Sequence, residues 1–334
     1  IRDFCLSRGL GDVYKRQADM VTSPRLDADD LELEKGVVCE EIAMYESNPA
    51  DLCADLFYLV AFPEHKLGKN VLGTRDSVNS MTPDMLRKHM DRFYSPASTV
   101  ACFCGKFERD KIIALCKRYF SSPANKSAIP ALPKADFCPG VHIFDKKTEQ
   151  NQIVIGFSAP SLGSDSRFAC QLIASMLGGS ASSRLFRRLR EEQGLVYSVD
   201  ACASSYLSAG VFAVSMGVSR ESEKKAVLTA AEVLREFPDT VTEGELDLAR
   251  DHYLSGLIMS LESNSARAAR YGTGELLLGG AISEKELEEK IRGVSIDEIR
   301  SLARSFSSLS DACICAVGRT AGAKFYNKVV SGKK

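Results

Sequence analysis

Two carboxylates, Glu34 and Glu41, stand seven positions apart in the segment 27–47, DADDLELEKGVVCEEIAMYES. Seven residues is about two helical turns, so Glu34, Val38, Glu41 and Tyr45 fall on one stripe in which two acids share a face with apolar neighbours. An acid on a core-facing stripe needs a partner, because an isolated buried charge is costly. Solvation, a salt bridge and a metal-ligand role all stay open for Glu41 on these residues alone. The crowding of Asp27, Asp29, Asp30 and Glu32 at the start of the segment has a simpler reading, since acids there complement the helix macrodipole. The histidines are His65, His89, His142 and His252, and none stands in an H-x-x-E-H. His65 follows Pro63-Glu64 in a loop-like stretch and reads as a loop residue. Cys102/Cys104 and Cys313/Cys315 have a one-residue spacing, which puts both sulfurs on one face of a strand and does not match the C-x2-4-C of zinc sites. They read as core packing. Gly178-Gly179-Ser180 precedes a helix, yet lacks the G-K-[ST] and the βαβ setting of a phosphate loop.

The elements that must position these residues belong to an ordinary globular chain. With 334 residues, two domains are expected, and 45% apolar with 26% charged residues is sufficient for real cores. Lys and Arg number 43 against 44 Asp and Glu, so no basic footprint draws the chain to nucleic acid or an anionic membrane. The longest apolar run, 56–62, is far short of a bilayer span. Neither nucleic acid nor membrane is therefore an expected partner. The 11 cysteines, an odd number spread along the chain, do not form the framework of a small secreted domain and are expected reduced. The expected compartment is the cytoplasm. Residues 1–17 show neither helical nor strand periodicity, and their CLSRGLGDVYKRQ resembles translated adapter sequence. They are set aside as non-native, and because the chain starts at Ile1 an upstream part is expected to be missing.

An internal repeat organises the remainder. Thr82-Pro-Asp-Met-Leu-Arg87, Phe93 and Val-Ala-Cys-Phe-Cys-Gly105 lie without gaps on Ser295-Ile-Asp-Glu-Ile-Arg300, Phe306 and Cys-Ile-Cys-Ala-Val-Gly318 at an offset of 213. Each copy reads as a capped helix, a loop and a short apolar strand ending in Gly. Glu46-Ser-Asn48 matches Glu262-Ser-Asn264 at an offset of 216, each closing a long helix. Residues 121–140, with four of the 11 prolines, read as the linker between a first half (18–120) and a second half (141–334). The second half reads as a strand at 152–158, helices near 164–177 and 182–193, and strands at 197–205 and 210–218. The fold class is α+β: two related halves, each a mainly antiparallel sheet with helices on one face. The first half is incomplete, because residues from about 141 to 234 have no counterpart in it. In the second copy Leu257 replaces Glu41 within an apolar run, so the architecture itself does not require an acid at position 41.

Glu34-Lys-Gly-Val-Val-Cys-Glu-Glu41, Tyr45-Glu46, Asn48-Pro49, Pro63-Glu-His-Lys-Leu-Gly68 and Leu72-Gly73-Thr74 together resemble the downstream part of the catalytic half of the insulinase/pitrilysin family, the inverzincin zinc metallopeptidases. Residues 177–199, LGGSASSRLFRRLREEQGLVYSV, are similar to that family's C-terminal signature. The resemblance covers residues 18 to about 330. It implies zinc held by two His of an H-x-x-E-H and by Glu41, with Glu34 behind the ligands and the motif's Glu as general base. That motif would lie ahead of residue 1, so the chain alone is expected to be inactive. It further implies that Arg190 and Tyr197 face the cleft and hold the peptide or the developing oxyanion; on their own they read as a helix-surface ion pair and a strand aromatic. Peptides or small unfolded polypeptides bound between two halves are the implied substrates, in a homodimer or a pair of homologous subunits. The alternative is a non-catalytic structural or substrate-docking subunit of the same fold.

Overall fold

The computed structural model describes residues 10–120 and 132–332 and divides them into two compact units. The larger draws on Glu41–Gly73, Leu132–Met259 and the chain from Ser283 onward. Its frame is a five-stranded sheet in the order β1 (Gly140–Phe144), β5 (Cys313–Val317), β2 (Asn151–Ala159), β4 (Gly210–Val218), β3 (Val196–Ser205). β1 and β5 run parallel, and the other pairs are antiparallel. The mainly antiparallel sheet of an α+β fold is thus present.

Both faces of this sheet are covered, and the two-residue period of a strand decides which side chain goes to which face. Phe157 and Phe212 are register partners whose rings stack at 6.3 Å, and Phe306 lies 5.8 and 4.6 Å from them. That side packs beneath α7 (Ser166–Gly178), α8 (Glu223–Thr240) and α12 (Ile296–Arg304), with α11 (Glu284–Gly293) against α7. The opposite parity, Val154, Ala213, Cys313 and Cys315, meets Cys53, Phe57 and Ala61 of α3 (Pro49–Ala61). The approach is close enough that a Cβ at Gly156 would lie 2.2 Å from Phe57 Cζ. The helices expected on one face are there; α3 adds cover on the second face, and it comes from the first half of the sequence. Glu223, fully buried at the start of α8, accepts hydrogen bonds from Asn151 Nδ2, the Ala321 amide and the Tyr326 hydroxyl. It thereby ties α13 (Ala323–Val330) to the sheet side.

The smaller unit draws on the chain up to Glu40, the segment beginning at Thr74, and Ser260–Ile282. It holds α1 (Leu10–Thr22), the first part of α2 (Ala28–Ser47), α4 (Arg75–Asn79), α5 (Pro83–Phe93), α6 (Arg109–Tyr119) and α10 (Asn264–Leu278). No strand occurs among its described residues. α1 packs against α6 and buries Ala18, which corrects the reading of 1–17 as aperiodic: its C-terminal part lies in a helix, while residues 1–9 fall outside the described residues. The linker 121–140 is described from Leu132. There the chain is held by the Cys138 amide on Ala61 O at 2.9 Å and by Phe137 against Phe62 at 5.7 Å.

The repeat is present in the order of the elements. α2, α3, α5, residues 100–104 and α6 match α9 (Glu243–Ser260), α10, α12, β5 and α13 in order. Thr82 and Ser295 cap equivalent helices by accepting from the Met85 and Glu298 amides. Gly105 and Gly318 both have positive φ, +139° and +134°, a conformation that costs a glycine little. The compact units nevertheless cut the chain differently from the halves 18–120 and 141–334: α3 of the first copy packs on the sheet of the larger unit, and α10 of the second belongs to the smaller. There Cys104 Sγ lies 3.7 Å from Asn264 Oδ1, and a Cβ at Gly272 would stand 3.2 Å from Cys102 Cβ. Residues 100–104 are not the strand their pattern suggested, because no strand in that unit is described to pair with them. In consequence Cys102 is exposed and does not pack in a core.

Candidate functional site

Arg190 and Tyr197 are brought together by two irregularities on either side of one turn. The stretch expected as an ordinary helix at 182–193 is π-helical over Phe186–Glu191, with the Glu192 amide bonding Arg187 O, five residues back, at 2.8 Å. Such i→i+5 turns are rare and are frequent at functional sites. Leu185 and Leu189 are fully buried and fix one side of the segment. Gly194, at φ +60°, makes the turn, and the Leu195 amide returns to Leu189 O at 2.8 Å. β3 then opens with a register shift: Val196 pairs with Val218 and Ser198 with Gly217, leaving Tyr197 as the extra residue of a bulge. A bulge at a sheet edge re-aims a side chain, and Tyr197 is 62% exposed on the outermost strand.

Arg190 closes the arrangement. Its Nη1 donates to Val196 O at 2.8 Å, and its guanidinium carbon lies 5.9 Å from the centroid of the Tyr197 ring, within cation–π range. One of the five N–H donors of the fork is committed to the backbone, and the rest are available to a carboxylate, carbonyl or oxyanion. The Tyr197 hydroxyl adds a further donor. Further along β3, burial pushes the Asp200 carboxyl above its usual range.

Glu34 and Glu41 stand on α2 on either side of the point where that helix passes from the smaller unit into the larger. Both are exposed, as is Tyr45; Val38 is half-buried, and the residue α2 buries is Ile42. The stripe expected to face a core is thus open, and Glu41 makes no ion pair among the described residues. Nor is there, among those residues, any group of three His, Cys, Asp or Glu placed to hold a metal ion. The donor set on hand is a single carboxylate, which does not make up a zinc cage. The histidines have structural roles or open positions. His65 Nδ1 accepts from the Leu67 amide at 3.1 Å and caps a short turn, with Nε2 3.2 Å from Pro133 O. His89 packs on Phe93 at 4.7 Å. Gly178 has a packing explanation and no phosphate role, for a Cβ there would lie 2.2 Å from the Ala201 amide nitrogen of β3. The π-turn and the bulge were beyond sequence reasoning; Gly194 after a run of helix formers was their one local signal.

The chain as a whole is similar to known proteins. Residues 80–253 match the family described as Peptidase M16 inactive domain. An uncharacterized zinc protease of Mycobacterium bovis is 32% identical over 297 residues, covering 87% of this chain and 68% of that protein. A second, from Bacillus subtilis, is 33% identical over 288 residues, covering 86% and 70%. A peptidase M16 inactive domain from Pseudomonas fluorescens superposes with a TM-score of 0.80 at 18% identity, covering 93% of this chain and 75% of that one. A chain of complex III from Candida albicans gives 0.83 at 17%, covering 96% and 80%. The chain belongs to the peptidase M16 family, the insulinase-like peptidases built from two related halves. Among the described residues no helix is long and apolar enough to cross a membrane.

Proposed function

We propose that this chain is part of a zinc-dependent endopeptidase acting on peptides or small unfolded polypeptides, in which Arg190 and Tyr197 hold the substrate. The observation that carries the reading is their meeting on an exposed sheet edge. Arg190 orients a substrate carbonyl or carboxylate by charge-assisted hydrogen bonds, and the Tyr197 hydroxyl stabilises negative charge that develops on the carbonyl oxygen. The names of the relatives support zinc in the whole protein. In that setting Glu41 would be a ligand and Glu34 would back it, and the described residues offer one donor of the three. By the same reading the functional particle is a homodimer.

A second reading is favoured by the match to an inactive domain over 80–253: a docking subunit that binds polypeptide without cleaving it. The two diverge on Glu41. In the protein with an H-x-x-E-H half in place, Glu41→Gln is expected to lose both zinc and turnover, whereas Arg190→Ala keeps zinc, by atomic absorption after dialysis, and loses turnover. Zinc retained by Glu41→Gln removes Glu41 from the cage. For the present chain alone, dialysed zinc is expected far below one per chain, since one carboxylate does not retain the ion.

A further inference from the structure

The π-helical segment is anchored at its N-terminal end by one residue that the functional reading does not use. Arg184 donates from Nε and Nη2 to Glu245 Oε1 and Oε2, both at 2.7 Å, in a bidentate pair. Its Nη1 donates to Thr240 Oγ1 at 2.6 Å and its Nη2 to Thr240 O at 2.9 Å. The guanidinium also lies 5.0 Å from the centre of the Phe237 ring. Its partners are themselves fixed: Thr240 ends α8, and Glu245, in the first turn of α9, accepts from the Thr242 amide and hydroxyl. The Arg184 fork holds the Glu245 carboxyl below its usual range. Arg184 therefore bolts the residue just ahead of Leu185 to the α8–α9 junction through a geometry that a flexible ammonium does not reproduce.

We propose that Arg184 is a positioning residue: its fork on Glu245 and Thr240 holds the i→i+5 register of the π-helical segment and so sets the direction in which Arg190 reaches Val196 and Tyr197. The reason is geometric. Leu185 and Leu189 pin one side of the segment, and the Leu195 amide on Leu189 pins its exit. With the entry freed, the turn is able to relax to the more favourable α register, which carries Arg190 round the axis and away from Val196 O. The proposal rests on Arg190 and Tyr197 being the peptide-contacting pair for its consequence in function, but not for its structural content.

The sequence has no tryptophan, so Tyr197→Trp places a single, selectively excited indole at the exposed bulge beside Arg190. In that background Arg190→Ala reports the emission and acrylamide quenching of a ring without its guanidinium. Arg184→Lys, which keeps the charge but not the fork, is expected to reproduce the Arg190→Ala change, and the two substitutions together are expected to add nothing further. A residue that only stabilised the fold lowers the unfolding midpoint and leaves the emission of the folded protein unmoved, and that result overturns the proposal. With Tyr197 intact, a fluorescein-labelled unfolded casein peptide is expected to bind about tenfold more weakly to Arg184→Lys, since small misplacements of an aligned group are costly, and no more weakly to Arg184→Lys/Arg190→Ala than to Arg190→Ala. Wild-type protein that shows no peptide binding sinks the functional reading and leaves the positioning test to the tryptophan arm.

Discussion

Cys313-Ile-Cys-Ala-Val317 and Val100-Ala-Cys-Phe-Cys104 are the same position of the repeat, each ending in a glycine of positive φ, and they end up in opposite states. The first is a fully buried strand between β1 and β2. The second forms no strand among the described residues. The helices that cross them differ in parallel. α3 buries Cys53, Phe57 and Ala61 on the sheet, while its counterpart α10 buries no residue and leaves Leu276, Leu277 and Leu278 partly open. Local pattern is nearly equal in the two copies, so the difference must come from the partners on either side. A short apolar segment becomes a strand when neighbours pair with it, and its intrinsic preference is a minor term.

The sharpest test of that contrast is thiol reactivity, where the expected effect is largest. Burial pushes the Cys313 thiol up to about 12. At pH 8 a thiol of that acidity is ionised about once in 10⁴, and the thiolate is the reactive form. Cys315 is equally enclosed, with Cys53 Sγ 3.6 Å from its carbonyl. Cys102 at the matching position is exposed. Alkylation by iodoacetamide followed by peptide mapping is expected to label Cys102 at least about 10³ times faster than Cys313. Comparable rates would mean that residues 313–317 are not a closed strand.

Packing energy should divide the copies in the same way. Phe57 is 2% exposed and rests on Gly156 and the cysteines of β5. Phe57→Ala is expected to cost about 3–5 kcal/mol through lost transfer energy and the cavity left behind. Leu276, half exposed on α10, is expected to change stability by less than about 0.5 kcal/mol when cut to Ala. Urea unfolding followed by far-UV circular dichroism measures both. An equal loss at the two sites would show that α10 has a core of its own.

The larger unit was legible where a strand's two faces both find partners. The apolar runs read as strands at 152–158 and 210–218 have ends within a residue of those observed, Asn151–Ala159 and Gly210–Val218. The sequence also carried the repeat, because capping residues and glycines of unusual φ leave a mark at fixed spacing. Three things left no such mark. Residues 100–104 have the pattern of β5, and pattern does not report whether a neighbouring strand is at hand. The stripe of Glu34, Val38, Glu41 and Tyr45 is a property of spacing, while the burial of Ile42 beside it depends on what packs against α2. The meeting of Arg190 with Tyr197 needed a π-turn and a bulge, both of which arise from tertiary fit, and the Arg184 anchor joins residues 61 apart.

The smallest expected effect is the finest discriminator, because it places the same chemistry in both copies. Ser295 caps α12 with a full capping box: its side chain accepts from the Glu298 amide, and its own amide donates to Glu298 Oε2 at 2.7 Å. α12 buries Ile299 and Ala303 beneath the sheet side of the larger unit. Thr82 caps α5 by accepting from the Met85 amide at 3.3 Å, with Pro83 at the first helical position, and α5 buries no residue. A cap is worth about 1 kcal/mol only where the helix it starts is coupled to a cooperative core. Ser295→Ala is therefore expected to lower the stability of the main urea transition by about 1 kcal/mol. Thr82→Ala should leave that transition within about 0.3 kcal/mol and instead reduce helical signal before it, as a separately fraying segment does. A main-transition loss of equal size from Thr82→Ala would show that α5 unfolds as one body with the sheet, and the contrast between the copies would then be one of burial without being one of cooperativity.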